Sequence, residues 1–147
     1  MGYGLGAAIG AAKATGKHVI LVTGDGCFNM NLNELSTAVT HELPITILLM
    51  NNHALGMVRQ WQKLFYGNRF SQTDVKKRTD YVKFAESFGA KGLRIDRESV
   101  IDGVLKEAFA TPAPVVVDCQ IGSDENVLPM IKPGQTYDTI MTEWEEK

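Results

Sequence analysis

Apolar residues follow two alternating rhythms along this chain. Short runs of strand length, most of them rich in β-branched residues, recur at His18–Thr23 (HVILVT), Ile45–Met50 (ITILLM), Lys91–Ile95 (KGLRI) and Pro114–Ile121 (PVVVDCQI). Their length and flanking turn residues predict four buried strands. Between them the spacing turns helical. Leu5–Thr15 is Ala-rich, with Gly16 as its stop. Asn31 to about Glu42 carries an apolar stripe at Leu32, Leu35, Val39 and Leu43. Asn31 with Glu34 three positions on reads as a capping box in its Asn variant. Further helices are expected at Gly56–Phe65, at Tyr81–Phe88 between a capping Asp80 and a closing Gly89, and at Glu98–Ala110, broken by Thr111–Pro114. Tyr66–Asp80 reads as a long polar loop, and 133–147 as a tail.

Strand and helix alternate throughout, and the strands are apolar on both faces. That pattern predicts an α/β fold, a mostly parallel sheet flanked by helices on both faces. The 147 residues fit one domain, and 44% hydrophobic content supports a real core. The opening MGYGLGAAIGAAKA passes straight from glycines into a helix, as though the chain began inside a motif of a larger protein. With 15 basic and 17 acidic residues the net charge is -2, which offers no electrostatic case for nucleic acid or an anionic membrane. No apolar run is long enough to span a bilayer, and no secretory signal is visible. Cys27 and Cys119 form no CxxC, so they read as reduced thiols of a cytoplasmic protein.

Asp25 stands between two glycines where the first apolar run stops. A turn would account for it alone. Yet the flanking glycines suit the close approach of a ligand, and a second strand ends in Asn51–Asn52. HALGM then opens a helix, whose N-terminal N–H groups suit an anion. In parallel α/β sheets ligands bind at this carboxyl edge of the strands. Together these residues suggest hard oxygen ligands for Mg²⁺ beside a diphosphate, which would supply the remaining negative charge. A rival reading takes Gly2, Gly4 and Ala7 as GxGxxA and Asp25 as the ribose-binding acid of an NAD-binding module. That fingerprint needs a strand before its first glycine, and it leaves Asn51–Asn52 unexplained. A third reading is a non-catalytic interaction domain. RQWQKLFYGNRF and KKR interleave basic and aromatic residues, but the net charge favours a loop ordering over an active site rather than nucleic-acid stacking. His18, His41 and His53 share no ligand spacing, and Cys27 has no general base near it in sequence. Met57 and Trp61 share a helix face, which by pattern alone reads as core packing.

GDGCFNMNLNELSTAVTHELPITILLMNN resembles the thiamine diphosphate signature that begins GDG and ends NN. GMVRQWQKLFYGNRFSQT, MGYGLGAAIGA and VLPMIKPG are similar, more narrowly, to the catalytic subunit of acetohydroxyacid (acetolactate) synthase, in its C-terminal domain. The resemblance implies that Asp25 and Asn52 bind Mg²⁺ through side-chain oxygens and Ala54 through its carbonyl. It implies that Gly24, Gly26, Cys27, Gly56 and Met57 lie along the diphosphate. Met1 matches the apolar residue that props the cofactor in its bent form. Trp61 matches the tryptophan that, with Met57 beside it, helps choose the second 2-ketoacid, and it favours the biosynthetic over the catabolic type. The implied reaction adds pyruvate to the cofactor, releases CO₂ and joins the remaining two carbons to a second 2-ketoacid. No catalytic residue is expected in this chain, because the activating glutamate belongs to the N-terminal domain of a partner subunit. FAD is expected in the intact enzyme but not on this chain. A homo-oligomer with a small regulatory subunit is the implied assembly, without nucleic acid or membrane. Pyruvate oxidase and glyoxylate carboligase share the cofactor signature and are the alternatives within the resemblance.

Overall fold

The computed structural model describes residues 1–74 and 79–143, so the KKR run at 76–78 and the end of the tail at 144–147 lie outside it. All four expected strands form: β1 (Val19–Gly24), β2 (Ile45–Asn51), β3 (Lys91–Ile95) and β4 (Val115–Gln120). They make one sheet in the order β1-β2-β4-β3, and every neighbouring pair is parallel. The register sets Leu21, Ile47, Val116 and Gly92 in one row across the sheet.

One face is covered by α1 (Tyr3–Thr15), α3 (Leu35–Thr40) and α5 (Tyr81–Ser87). Leu5, Ala8, Leu35, Ala38, Tyr81 and Ala85 join Ile45, Ile47, Leu49 and Val116 in the main core. α5 lies directly on β3 because Gly92 has no side chain; a Cβ there would stand 2.5 Å from the Val82 carbonyl oxygen. The other face carries α6 (Ile101–Ala110), which sets Val104 and Ala108 over Val115, Val117 and Leu93. A helix about 10 Å wide covers about two strands spaced ~4.8 Å apart. The far side of β1 is therefore open, with Ile20 53% and Val22 63% exposed. The expectation of strands buried on both faces thus holds for β4 but not for β1.

The helix expected from Asn31 to Glu42 is shorter, a 3₁₀ turn at Leu32–Glu34 followed by α3. Its capping box does not form. The Asn31 side chain donates its Nδ2 to the Gly2 carbonyl, and its Oδ1, the atom a cap would use, is buried without a hydrogen-bond partner. Glu34 accepts from the Thr37 hydroxyl at 3.0 Å and the Asn33 amide at 3.2 Å. α4 (Gly56–Phe65) has the expected bounds. Asp80 caps α5 by accepting the Lys83 N–H at 3.4 Å. Towards the C-terminus, Met130 and Met141 exchange backbone hydrogen bonds at 2.9 and 2.8 Å around a 3₁₀ turn at Tyr137–Thr139.

Candidate functional site

The register aligns Gly24 with Met50, so the chain leaves β1 and β2 side by side at the carboxyl edge. Asp25 opens the single turn α2 (Asp25–Phe28) directly after Gly24, the last residue of β1. Its carboxylate is only 1% exposed and accepts the Gly26 N–H at 2.9 Å. The turn is fixed from below by aromatic packing. Phe28 meets Tyr81 and Phe84 edge-on, with ring centroids 6.0 and 6.1 Å apart. The Tyr81 hydroxyl donates to Asn29 Oδ1 at 3.0 Å, and the Asn29 N–H returns to the Asp25 carbonyl at 3.0 Å. Burial pushes the Tyr81 phenol up to about 12; the Asn29 bond opposes this, while the Asp25 and Asp118 charges add to it.

The second wall follows β2. Asn51 donates to Asp118 Oδ1 at 2.9 Å and accepts the His53 N–H at 3.4 Å. His53 takes a positive φ of 56° and so turns the chain back over the edge. The Ala54 N–H reaches Asn52 Oδ1 at 3.1 Å, and the Leu55 N–H reaches the Thr73 carbonyl at 2.9 Å. Gly56 then opens α4. A Cβ at Gly56 would stand 2.7 Å from Asn52 Nδ2, so only glycine leaves the Asn52 carboxamide in place. The first bond of α4 runs from the Arg59 N–H to the Leu55 carbonyl at 2.9 Å. The N–H groups of Gly56, Met57 and Val58 precede that ladder and form an anion-attracting helix end.

The two turns approach each other at this edge, where a Cβ at Gly26 would stand 3.2 Å from Leu55 Cδ2. The oxygens they carry are hard: the Asp25 carboxylate, the Asn52 amide and the carbonyls of the 52–55 turn. Among the described residues no group of three or more His, Cys, Asp and Glu could hold a metal. A soft-metal centre is therefore a poor fit, and one carboxylate with neutral oxygens suits Mg²⁺ bound together with phosphate. Cys27 lies in the same turn as a half-buried free thiol. Met1 is exposed at the start of α1, and the Gly2 carbonyl is tied to Asn31 just beyond the Asp25 turn. Met57 and Trp61 are not core, as their pattern alone suggested, but stand on an exposed face of α4. Trp61 meets Phe65 edge-on at 5.8 Å and borders a cavity of about 320 Å³ with Val58, Gln62, Tyr66 and Arg69.

Sequence reasoning missed Asp118 and Arg94. Asp118 is buried inside β4 and gathers Asn51, Gln120 (2.7 Å) and Arg94 Nε (3.2 Å); Arg94 also reaches Asp80 at 2.8 Å. Burial works against the Arg94 charge, but Asp118 and Asp80 outweigh it and hold its pKa above the usual value. This ion-paired cluster supports the Asn51 end of the site. The available signal was a carboxylate inside VVVDCQ, a run otherwise fit for burial on both faces.

The model of the thiamine pyrophosphate enzyme, C-terminal TPP binding domain, matches residues 1–119. The acetolactate synthase large subunit of Porphyra purpurea is 44% identical over 138 residues, covering 92% of this chain and 23% of that protein. The mitochondrial acetolactate synthase catalytic subunit of Saccharomyces cerevisiae is 44% identical over 142 residues, 96% of this chain and 20% of that protein. Among solved structures, the thiamine diphosphate-dependent 4-hydroxybenzoylformate decarboxylase of Rhodococcus jostii RHA1 superposes with a TM-score of 0.78 at 30% identity, over 86% of this chain and 24% of that one. The chain thus spans under a quarter of the length of these relatives. Gly2, Gly4 and Ala7 are the start of α1 rather than a nicotinamide fingerprint. The signature from Asp25 to Asn52, the parallel sheet that sets its two ends side by side and the match over residues 1–119 agree: this chain belongs to the thiamine pyrophosphate enzyme family, as its C-terminal cofactor-binding domain.

Proposed function

We propose that this chain is the cofactor-holding part of an acetolactate synthase, the transferase that condenses pyruvate with a second 2-ketoacid in branched-chain amino acid biosynthesis. The observation that carries the reading is the meeting of the Asp25 turn and the Asn52 turn at one strand edge, with Gly56 leaving room for Asn52. Asp25, Asn52 and the Ala54 carbonyl hold Mg²⁺. The main chain at Gly24, Gly26, Cys27, Gly56 and Met57 lines the diphosphate, and Met1 supports the bend of the cofactor. Met57 and Trp61 face the second 2-ketoacid. Bound thiamine diphosphate supplies the carbon nucleophile and the electron sink for decarboxylation. The chain's own share is to orient the cofactor rigidly, so that entropy lost on alignment is paid before reaction.

The activating glutamate, FAD and the regulatory subunit belong, in this reading, to other parts of a homo-oligomeric enzyme. The chain alone binds without turning over. Among the described residues no helix is long and apolar enough to cross a membrane, and the two free thiols fit a reducing compartment, which we take to be the cytoplasm.

The test is a calorimetric titration with thiamine diphosphate, with Mg²⁺ and then with EDTA, using NAD as the control ligand. Metal-dependent binding of thiamine diphosphate alone is expected. Asp25→Ala should abolish it while far-UV circular dichroism stays unchanged. A variant that binds as the parent does would remove Asp25 from the metal set.

A further inference from the structure

Trp61 stands between two glutamines, and in the structure both take the same posture. Gln60 accepts the Val127 N–H on Oε1 at 2.7 Å and donates Nε2 to the Val127 carbonyl at 2.9 Å. Gln62 accepts the Ser71 N–H on Oε1 at 3.0 Å and donates Nε2 to the Ser71 carbonyl at 3.0 Å. A carboxamide that meets both backbone groups of one residue copies the two-bond exchange between paired strands. The Thr73 hydroxyl adds a bond to Gln62 Oε1 at 3.1 Å.

These clamps matter because of how α4 is attached. Gln60 is the only buried residue of the helix, while Met57, Val58 and Trp61 are exposed on its apolar side. Leu64 and Phe65 are half-buried, so the apolar stripe seats only the far end of the helix, and polar contacts hold the turns around Trp61. Residues two apart on a helix point about 200° from one another. Gln60 and Gln62 thus hold opposite flanks of α4, against chain segments 67 residues later and nine residues later. A roll of the helix about its axis would swing Trp61 and break at least one pair. The Arg59–Asp124 ion pair at 2.8 Å lies alongside, but a half-exposed charge pair tolerates rotation that a paired carboxamide does not.

We propose that Gln60 and Gln62 are positioning residues that set the roll of α4 and hence the direction Trp61 faces. The role needs a donor and an acceptor on one side chain, so glutamate fills half of it and methionine none. The inference rests on the proposed function only for what Trp61 meets there.

The test uses the chain with Trp144→Phe, which leaves Trp61 as its sole indole. Gln60→Met, Gln62→Met and Gln62→Glu are compared by amide hydrogen exchange, Trp61 fluorescence anisotropy and thermal unfolding. In Gln62→Met, Ser71 should exchange several-fold faster with Val127 unchanged, and in Gln60→Met the reverse. Trp61 anisotropy should fall in both, and by less in Gln62→Glu, which keeps the acceptor. A purely structural role would lower the unfolding midpoint and leave Trp61 as rigid as before. Should Gln60→Met fail to fold, the Gln62 pair decides alone. Unchanged protection at Ser71 overturns the clamp, and lost protection with unchanged anisotropy overturns the positioning. None of these readouts needs thiamine diphosphate, so failure of the parent to bind it would count against the proposed function and not against this inference.

Discussion

Gly56 shows how little space separates the observed place of the Asn52 carboxamide from a displaced one. In Gly56→Ala the new methyl would sit 2.7 Å from Asn52 Nδ2, the far end of a side chain that can turn away. Helix and sheet survive, and alanine favours a helix over glycine by up to about 1 kcal/mol. Unfolding should therefore begin no earlier than in the parent. Asn52 would lose its place, and Mg²⁺-dependent affinity for thiamine diphosphate should drop about tenfold or more, ~1.4 kcal/mol. Calorimetry and a thermal melt on one sample separate the two effects, and parent-like affinity would argue that Asn52 is no ligand. Asp25 and Asn51–Asn52 were legible because polar residues mark the ends of apolar runs. Asp118 and Arg94 were not, because a carboxylate within such a run shows its partner only once β3 and β4 lie side by side. Asn31 misled for a related reason: Gly2, far away in sequence, holds its Nδ2, and the Oδ1 that a local cap would use is buried without a hydrogen-bond partner.

At the scale of elements, α5 and β3 are separated by one missing side chain. Gly92→Ala would place its Cβ 2.5 Å from the Val82 carbonyl oxygen and 2.9 Å from the Val82 Cα, and backbone atoms yield less readily than the end of an amide. Overpacking of this kind costs about 1–3 kcal/mol. A lowered urea midpoint is expected, together with a near-ultraviolet change as Tyr81 shifts against Phe28. A midpoint equal to the parent's would mean that α5 gives way freely. The strands and α4 were readable from the sequence, since their patterns are local. The helix ends at α3 and α5 explain why α3 stops at Thr40, two residues before the expected Glu42. Both close with the same six-residue turn: Leu43 N–H to the Ala38 carbonyl, and Ala90 N–H to the Ala85 carbonyl, each at 3.0 Å. After α5 the left-handed residue is Gly89 (φ 84°), an obvious stop; after α3 it is Glu42 (φ 48°), which reads as a helix former.

Over the whole molecule, the sheet has a covered face and a partly bare one. Val22 stands beside Leu48 in the register, and Leu48 borders a cavity of about 360 Å³ with Met50, Ile95, Ile101 and Leu105 as well as Asp96, Arg97 and Glu98 at its rim. Exposed apolar side chains such as Ile20 and Val22, next to such a cavity, favour association. The isolated chain should self-associate, and Val22→Lys, which replaces a largely exposed side chain, should reduce the mass seen by light scattering without changing secondary structure. A clean monomer of the parent at high concentration would sink this expectation. Apolar runs told which residues form strands, but not how many strands one helix can cover, which is a matter of widths in three dimensions.

The seating of α4 on amides has a calorimetric consequence. The heat-capacity step of unfolding follows the apolar area newly wetted, and Met57, Val58 and Trp61 on the apolar side of α4 are wet already. Release of this helix would absorb heat as hydrogen bonds part, yet leave the baseline of a calorimetric scan nearly level. The sheet, when it melts, would lift that baseline. Chilling weakens apolar contact and leaves such amide pairs untouched by that loss, so the grip on Trp61 would endure at temperatures where the core has begun to loosen.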